Sequence, residues 1–379
     1  MDAQNIKLNQ IVFHRFTDFI VSDQVTKKRL GLINQEQTAE VNRNLLSVEA
    51  KAQQEKLRRS KTAEEFLIYI NEYFHDALLS YIDQIVDNNS VLFGDIFKLD
   101  AHVTKLVQTC LNKNSSANQI AELVTQLPWL KKDLLGVVNK PPFREEGSSR
   151  PLLDDVMLAV RYVGPDNIRM PILALIVKHW QPHSTEPYHD SKTKLWQYSV
   201  ATANCMEQLA PNYRIEPLQA YFLGLAHGVG FGLALRLYLR SFEKVRLNEM
   251  KKARQASRPD IEKALDQLQL DGEFASEVIF KHGWSLSHGL IKKLDLKLTP
   301  LLPAIEQVEV WPEEPIEQPL AALLVKSSTY SQYKVLQKAR LIELNEAKRF
   351  LTGAKINNEF ISNLNQVDLS RLNLTSTHI

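Results

Sequence analysis

Residues 217 to 235 carry no formal charge. A run that long has two homes, a bilayer or the core of a folded protein, because water solvates it poorly. His227 stands at its middle, Gln219 near its start, and Gly224, Gly228, Gly230 and Gly232 interrupt it. An ionisable residue at mid-depth argues against lipid. The run is therefore expected to be a buried core helix, then a glycine-bearing turn and a second helix, with no membrane partner.

The rest of the chain reads as helix. Only 13 Gly and 16 Pro punctuate 379 residues, which leaves long stretches without turn signals. Phe66, Ile70, Phe74, Ala77, Leu78, Tyr81 and Ile85 recur at the spacing of one helix face. Thr62-Ala63-Glu64-Glu65 has the form of a capping box opening that helix, which should end near Asp87. Asp100 is expected to cap a helix holding Leu106, Val107, Cys110 and Leu111, and Ser116-Ala117-Asn118-Gln119 is a second capping box. Pro128 suits the first turn of a third helix. Further helices are expected at Leu153 to Val163, Pro171 to His179, Trp196 to Ala210, around Lys251-Lys252, at Phe274 to Trp284, Pro319 to Phe350 and Glu359 to Val367. Asp154 and Asp155 should favour the positive end of the helix they precede. Residues 299 to 319, rich in proline, are expected to be irregular, and Val308-Glu309-Val310-Trp311 alone reads as strand. The polar segment 36 to 60 suits an exposed helix.

Charge and cysteine content narrow the partners. Lys and Arg total 46 against 44 Asp and Glu, a net charge of +2, so there is no general pull toward nucleic acid or anionic lipid. Cys110 and Cys205 sit in apolar helical patterns and read as buried reduced thiols. Met1-Asp2-Ala3-Gln4-Asn5 opens with an acid and polar residues, unlike a secretory signal. A cytoplasmic location is expected.

Three stretches, in order, carry a family likeness. Leu127-Pro128-Trp129-Leu130 through Leu134-Leu135-Gly136-Val137-Val138-Asn139 to Phe143, then Leu195-Trp196-Gln197-Tyr198-Ser199-Val200-Ala201, then Ala220-Tyr221-Phe222-Leu223-Gly224-Leu225-Ala226-His227-Gly228-Val229-Gly230 together resemble the HD-related output domain, a bacterial signalling module related to HD-type metal phosphohydrolases. The resemblance covers roughly residues 98 to 300. It implies an all-α, HD-like multi-helix bundle over 98–300, flanked by an N-terminal helical region, 1–97, and a C-terminal helical extension, 301–379.

Catalytic relatives hold a divalent metal through a histidine on one helix, an adjacent His-Asp pair on the next and a later aspartate. Such a metal activates water and stabilises phosphoryl charge. Here Tyr198 stands in the first histidine's place, and a phenol is a poor ligand while protonated. Gly228 replaces the aspartate of the pair, and Leu323-Leu324-Val325-Lys326-Ser327-Ser328 offers no late acid. Only His227 survives. No catalytic residue, metal or cofactor is therefore assigned; Tyr198, His227 and Gly228 are vestigial positions, and Asn139, Trp196, Asn204 and His227 are candidates to line a ligand or partner cleft.

Other chemistries fare worse. His179, His183, His189 and Asp190 lie close in sequence, but Pro182 and Pro187 prevent a shared helical face and favour a polar loop. His282 and His288 flank Trp284, whose expected role is packing. There is no Gly-x4-Gly-Lys loop, Gly-x-Ser-x-Gly elbow or Cys-x2-Cys pair, and Gly228-Val229-Gly230-Phe231-Gly232 follows no strand. The favoured reading is a non-catalytic signal-transduction module that binds other signalling proteins or a small ligand. The alternative is a metal-dependent phosphohydrolase with a site rearranged around His227. A third is a structural protein that forms a homodimer through the Phe66 to Ile85 face.

Overall fold

A computed structural model describes residues 3–32, 47–88, 90–145, 147, 151–297, 299–364 and 368–369, with the backbone alone described over 47–63. Among them the chain is helical, with no strand. In order the helices are α1 (Ala3–Val21), α2 (Asp23–Arg29), α3 (Ser47–Asp87), α4 (Ala101–Leu111), α5 (Ala117–Thr125), α6 (Pro128–Val138), α7 (Val156–Val163) and α8 (Pro165–Trp180). There follow α9 (Ser191–Leu209), α10 (Pro217–Gln255), α11 (Pro259–Asp266), α12 (Gly272–Lys293), α13 (Leu301–Glu309), α14 (Pro319–Lys338), α15 (Leu344–Gly353) and α16 (Asn358–Leu364). A π-helical turn, Val91–Ile96, links α3 to α4.

The charge-free run forms the first half of α10, the spine of the molecule, and it is nearly all buried between α9 and α12. The expected glycine turn does not form. One helix runs from Pro217 to Gln255, and it takes in the basic segment around Lys251-Lys252 as its last turns. Its glycines serve packing. A Cβ on Gly224 would lie 2.6 Å from the Ala203 Cα of α9; one on Gly228 would collide with Ser199 Oγ, and one on Gly230 with Ser287 and the Gly283 carbonyl of α12. Bare backbone on α10 lets both neighbouring helices approach closely, as small residues do wherever helices cross tightly.

Around this spine the short helices stack as their caps dictate. The Asp100 carboxylate accepts from the His102 amide, Ser116 and Gln119 form the reciprocal capping box, Pro128 opens α6, and Asp155 accepts from the Leu158 amide at the start of α7. Arg169, almost wholly buried on α8, donates to the carbonyls of Pro165, Cys110, Asn112, Lys113 and Ser115. It thereby satisfies the open end of α4, whose last carbonyls have no helical partner. Cys110 and Cys205 are buried free thiols, and burial pushes both up to about 12.

Several expectations need correction. The helix containing Phe66 to Ile85 does not begin at Thr62: α3 starts at Ser47 and runs through the would-be capping box. Its Ile70, Phe74, Leu78 and Ile82 are buried against α10, α11 and α12 of the same chain, so that face is not free to pair two copies. Of the segment 36–60, residues 36–46 lie outside the described residues. The stretch 299–319 contains α13, with Pro303 in its first turn, where a missing amide costs no hydrogen bond. Val308 and Glu309 end that helix and form no strand. The helix from Pro319 stops at Lys338. Arg340, at φ 58°, lets its own amide bond the Gln337 carbonyl and the Leu341 amide bond the Leu336 carbonyl, a Schellman closure without glycine.

The glycine argument gives a paired prediction. Gly136, on the exposed side of α6, has nothing within 4 Å of the point a Cβ would occupy, so Gly136→Ala should stabilise by about 0.5–1 kcal/mol through helix propensity. Gly230→Ala should destabilise by about 1–3 kcal/mol because the methyl has nowhere to go. Urea midpoints at unchanged slope measure both; a Gly230→Ala protein as stable as Gly136→Ala would refute the packing role.

Candidate functional site

Tyr198 and His227, expected from the sequence to stand at former metal-ligand positions, come together with Trp284 where α9, α10 and α12 meet. Tyr198 projects from α9, His227 from α10 and Trp284 from α12. The Tyr198 and His227 rings meet edge to face at 5.1 Å, His227 stacks on Trp284 at 5.6 Å, and Phe231, one turn beyond His227, closes on Trp284 at 5.3 Å. The fourth wall comes from outside this trio. Phe16 of α1 packs on Tyr198 at 4.6 Å, and Phe13 packs on Phe231 at 5.9 Å. Phe16, Tyr198, His227 and Phe231 are completely buried.

Aromatic enclosure sets the chemistry of the two polar rings. His227 Nδ1 lies 2.7 Å from the Gly224 carbonyl, which can only accept, so Nδ1 carries the proton. Nε2 has no hydrogen-bond partner among the described residues. Burial drives the imidazole pKa down to about 4, against the backbone hydrogen bonds that favour the charged form. Burial likewise pushes the Tyr198 phenol above its ordinary value, and its oxygen sits 3.4 Å from the Gln332 amide nitrogen of α14. A phenol held in its protonated form offers a cation no negative oxygen.

The arrangement does not fit a divalent metal. Gly228, where the resemblance implies that a carboxylate is missing, faces Ser199 Oγ so closely that not even a methyl fits. Ser199 in turn donates to the Leu195 carbonyl at 2.9 Å, so its hydroxyl is engaged within α9. Leu323 to Ser328 lie in α14 and bring no acid to the centre. Among the described residues, no three His, Cys, Asp or Glu side chains converge as a ligand set.

The remaining candidates sit apart. Asn139 ties the end of α6 to the chain before α7: its amide donates to the Leu135 and Leu153 carbonyls at 2.9 and 2.8 Å and accepts from the Leu153 amide at 2.8 Å. Asn204, buried on α9, donates to the Asp368 carbonyl at 3.1 Å. Trp196 is half-buried, two residues before Tyr198 and so on a different side of α9. His282 Nε2 lies 2.9 Å from Asp83, and His288 bonds Glu309 with Glu306 at 3.5 Å, which raises its pKa. His179 stacks on Trp129 at 3.9 Å and approaches His183 at 6.3 Å between ring centres.

Sequence reasoning missed the part played by α1. Besides its two phenylalanines, its Arg15 makes a bidentate pair with Glu346 of α15 at 2.6 and 2.9 Å, and its buried Asp18 pairs with Arg29 at 3.2 Å. Thr17 shares a hydrogen bond with Ser276 of α12 at 2.8 Å. Val12, Phe16 and Ile20, all buried, follow the four-residue spacing of a helix face, which was the available signal.

The HDOD domain family matches residues 96–295. The chain belongs to this family. No curated protein matches it. Among solved structures, an HDOD domain protein from Geobacter sulfurreducens, described as of unknown function, is similar at 16% identity over 75% of this chain and 94% of that one, with a TM-score of 0.44. Two chains from Shewanella amazonensis SB2B, provisionally described as a metal-dependent phosphohydrolase and a phosphohydrolase, are similar at 13% and 18% identity. They cover 75% and 76% of this chain and 99% and 98% of their own, each with a TM-score of 0.40. None of these likenesses assigns a role to a residue. The HDOD match spans α4 to α12, whereas α1, which supplies Phe13 and Phe16, lies outside it.

The depressed His227 pKa predicts a pH dependence with a definite sign. Between pH 6.5 and about 4 the unfolded chain binds a proton at this residue that the folded chain refuses. The neutral ring's contribution is thus complete above pH 6.5 and is lost as pH falls, by on the order of 3 kcal/mol at pH 4. His227→Leu should flatten this part of the stability curve. Melting temperatures of both proteins from pH 7 to 4 check it, and parallel curves would contradict the assignment.

Proposed function

We propose that this HDOD protein is a non-catalytic regulatory module that works by binding. The observation that carries the reading is the aromatic centre: Tyr198, His227, Phe231 and Trp284, with Phe16 of α1, pack ring on ring at the positions that the sequence resemblance pairs with the metal site of HD-type enzymes. Hydrolysis of a phosphoester needs a water polarised by a cation or base and room for the phosphoryl oxygens. An imidazole with a pKa near 4 is a weak base, and its ring is stacked against indole.

Binding remains open to such a protein because its outer faces are independent of the centre. The partners in this reading are other signalling proteins, with α1 and the C-terminal helices joined to the HDOD segment through Phe16, Arg15 and Glu346 so that an event at one surface is felt by the others. The balanced charge of the chain supports protein partners over nucleic acid.

Elemental analysis with an esterase assay tests the reading. The purified chain should hold no stoichiometric Mn, Fe, Mg or Zn and should not hydrolyse p-nitrophenyl phosphate or bis-p-nitrophenyl phosphate above background when Mn²⁺ or Mg²⁺ is supplied. Metal-dependent turnover that disappears in His227→Ala would overturn it in favour of a rearranged phosphohydrolase.

A further inference from the structure

One concave surface of the HDOD segment takes no part in the filled centre. A cleft of about 700 Å³ opens between α6, the C-terminal end of α8 and the start of α9. Its walls carry Lys132 of α6, Lys140 just past the end of that helix, Lys178 of α8 and Lys192 of α9, with His179 and His183 beside them and Asp133 as the one carboxylate among the described lining residues. Among the described residues none of the four lysines takes part in an ion pair. In a chain whose charges nearly cancel, four unpaired ammonium groups around one hollow are a local excess that repels itself until an anion enters.

Three features make the hollow more than a basic surface. Lys132 and Gly136 lie four residues apart on α6 and Lys140 follows just past its end, and above the glycine 4 Å of space is clear. Gly136 leaves the cleft open at the point where any side chain would fill it. Gln181, only 3% exposed, lies in the wall, and neither its amide oxygen nor its amide nitrogen has a hydrogen-bond partner among the described residues. The His179 ring, stacked on Trp129, sets a rigid edge.

We propose that this cleft binds a small, multiply charged phosphate compound, of the class of nucleoside polyphosphates or inorganic oligophosphates. Four ammonium groups around one open cleft suit several phosphates on one molecule, whereas a single phosphate leaves most of them unpaired. The volume lies within the range of small-molecule sites. Long nucleic acid fits less well, because a strand needs a basic track beyond the hollow, and the chain as a whole is near neutral. The inference stands apart from the proposed lack of catalysis, since it involves none of the residues around His227.

The test is calorimetric titration of the full chain, at about 0.15 M NaCl to suppress loose ionic association, with sodium tripolyphosphate, ATP, orthophosphate, sulfate and a short single-stranded RNA as probes. Tripolyphosphate or ATP should bind with one-to-one stoichiometry and at least about tenfold more tightly than orthophosphate or sulfate, a gap of about 1.4 kcal/mol. Gly136→Leu, which fills the hollow from an unobstructed helical position, and Lys178→Glu should each weaken that binding about tenfold or more, with melting temperatures no lower than the parent's. Binding of sulfate as tight as tripolyphosphate, equal affinity in Gly136→Leu, or no saturable heat with either oligophosphate would overturn the proposal. RNA binding far tighter than tripolyphosphate would replace the small ligand with a nucleic-acid surface. Because the readout is binding and not turnover, the outcome is separate from the hydrolysis and metal measurements.

Discussion

The close approach of α9 and α12 to α10 is the constraint on which the rest of the molecule depends. Gly224 and Gly228 meet α9, and Gly230 meets α12, at distances that leave no room for a methyl group. Backbones so near carry their side chains into a shared space, which is why the rings of Tyr198, His227, Phe231 and Trp284 pack against one another. Gly283 on α12 completes the fit, since a Cβ there would strike the Phe231 ring. Gly228 is thus a packing residue. An aspartate introduced at that position would demand movement of α9 before it could offer a carboxylate to anything.

A filled centre changes what α1 can be. In an open HD-type site a helix across the mouth would compete with substrate, but here Phe16 and Phe13 extend an aromatic core that continues through Tyr198, Phe231 and Phe280. Burying rings of this size contributes roughly 2 kcal/mol or more apiece. The polar anchors of α1 then fix its angle: Arg15 to Glu346 on one side, Asp18 to Arg29 on another, and Thr17 to Ser276 beneath. Since Arg15 also donates to the Leu341 carbonyl, α1 links the HDOD segment to the turn between α14 and α15.

How much of this could be read in the sequence follows from where the information lies. Caps are local: Asp100, Ser116 with Gln119, Pro128 and Asp155 announce their helices because the atoms that satisfy each other are two or three residues apart. The order of the three family stretches pointed to the HDOD family, which matches residues 96–295, and within them Tyr198 and His227 lie in ring contact. What was hidden is non-local or carries the wrong local sign. Glycines in α10 look like a turn until the facing backbone of α9 and α12 is known. Arg340 and Ser257 end helices in a left-handed conformation usually given to glycine, so α14 seemed to continue. Arg169 looks like a surface charge, although its function is to receive carbonyls supplied by residues more than fifty positions away.

The division between a closed centre and an open, basic cleft has a physical logic. Catalysis and tight packing make opposite demands on one cavity, since a reacting group needs space and mobile water, and a core residue needs neither. With no charged partner, the buried His227 is most stable neutral, and a neutral imidazole packs well against indole and phenol. The rings can then close on one another and hold α9, α10 and α12 as one block. The cleft at Gly136 lies on elements that abut this block: α8 packs on α10, and Lys192 opens the very helix that carries Tyr198. An anion drawn to Lys192 would therefore bear on α9 at one end, while α1 grips the same helix through Ser191 and Lys194, whose side chains reach the Val21 and Phe19 carbonyls at 3.1 and 2.8 Å. Rigid contact, and not a shared pocket, is what would join the two surfaces.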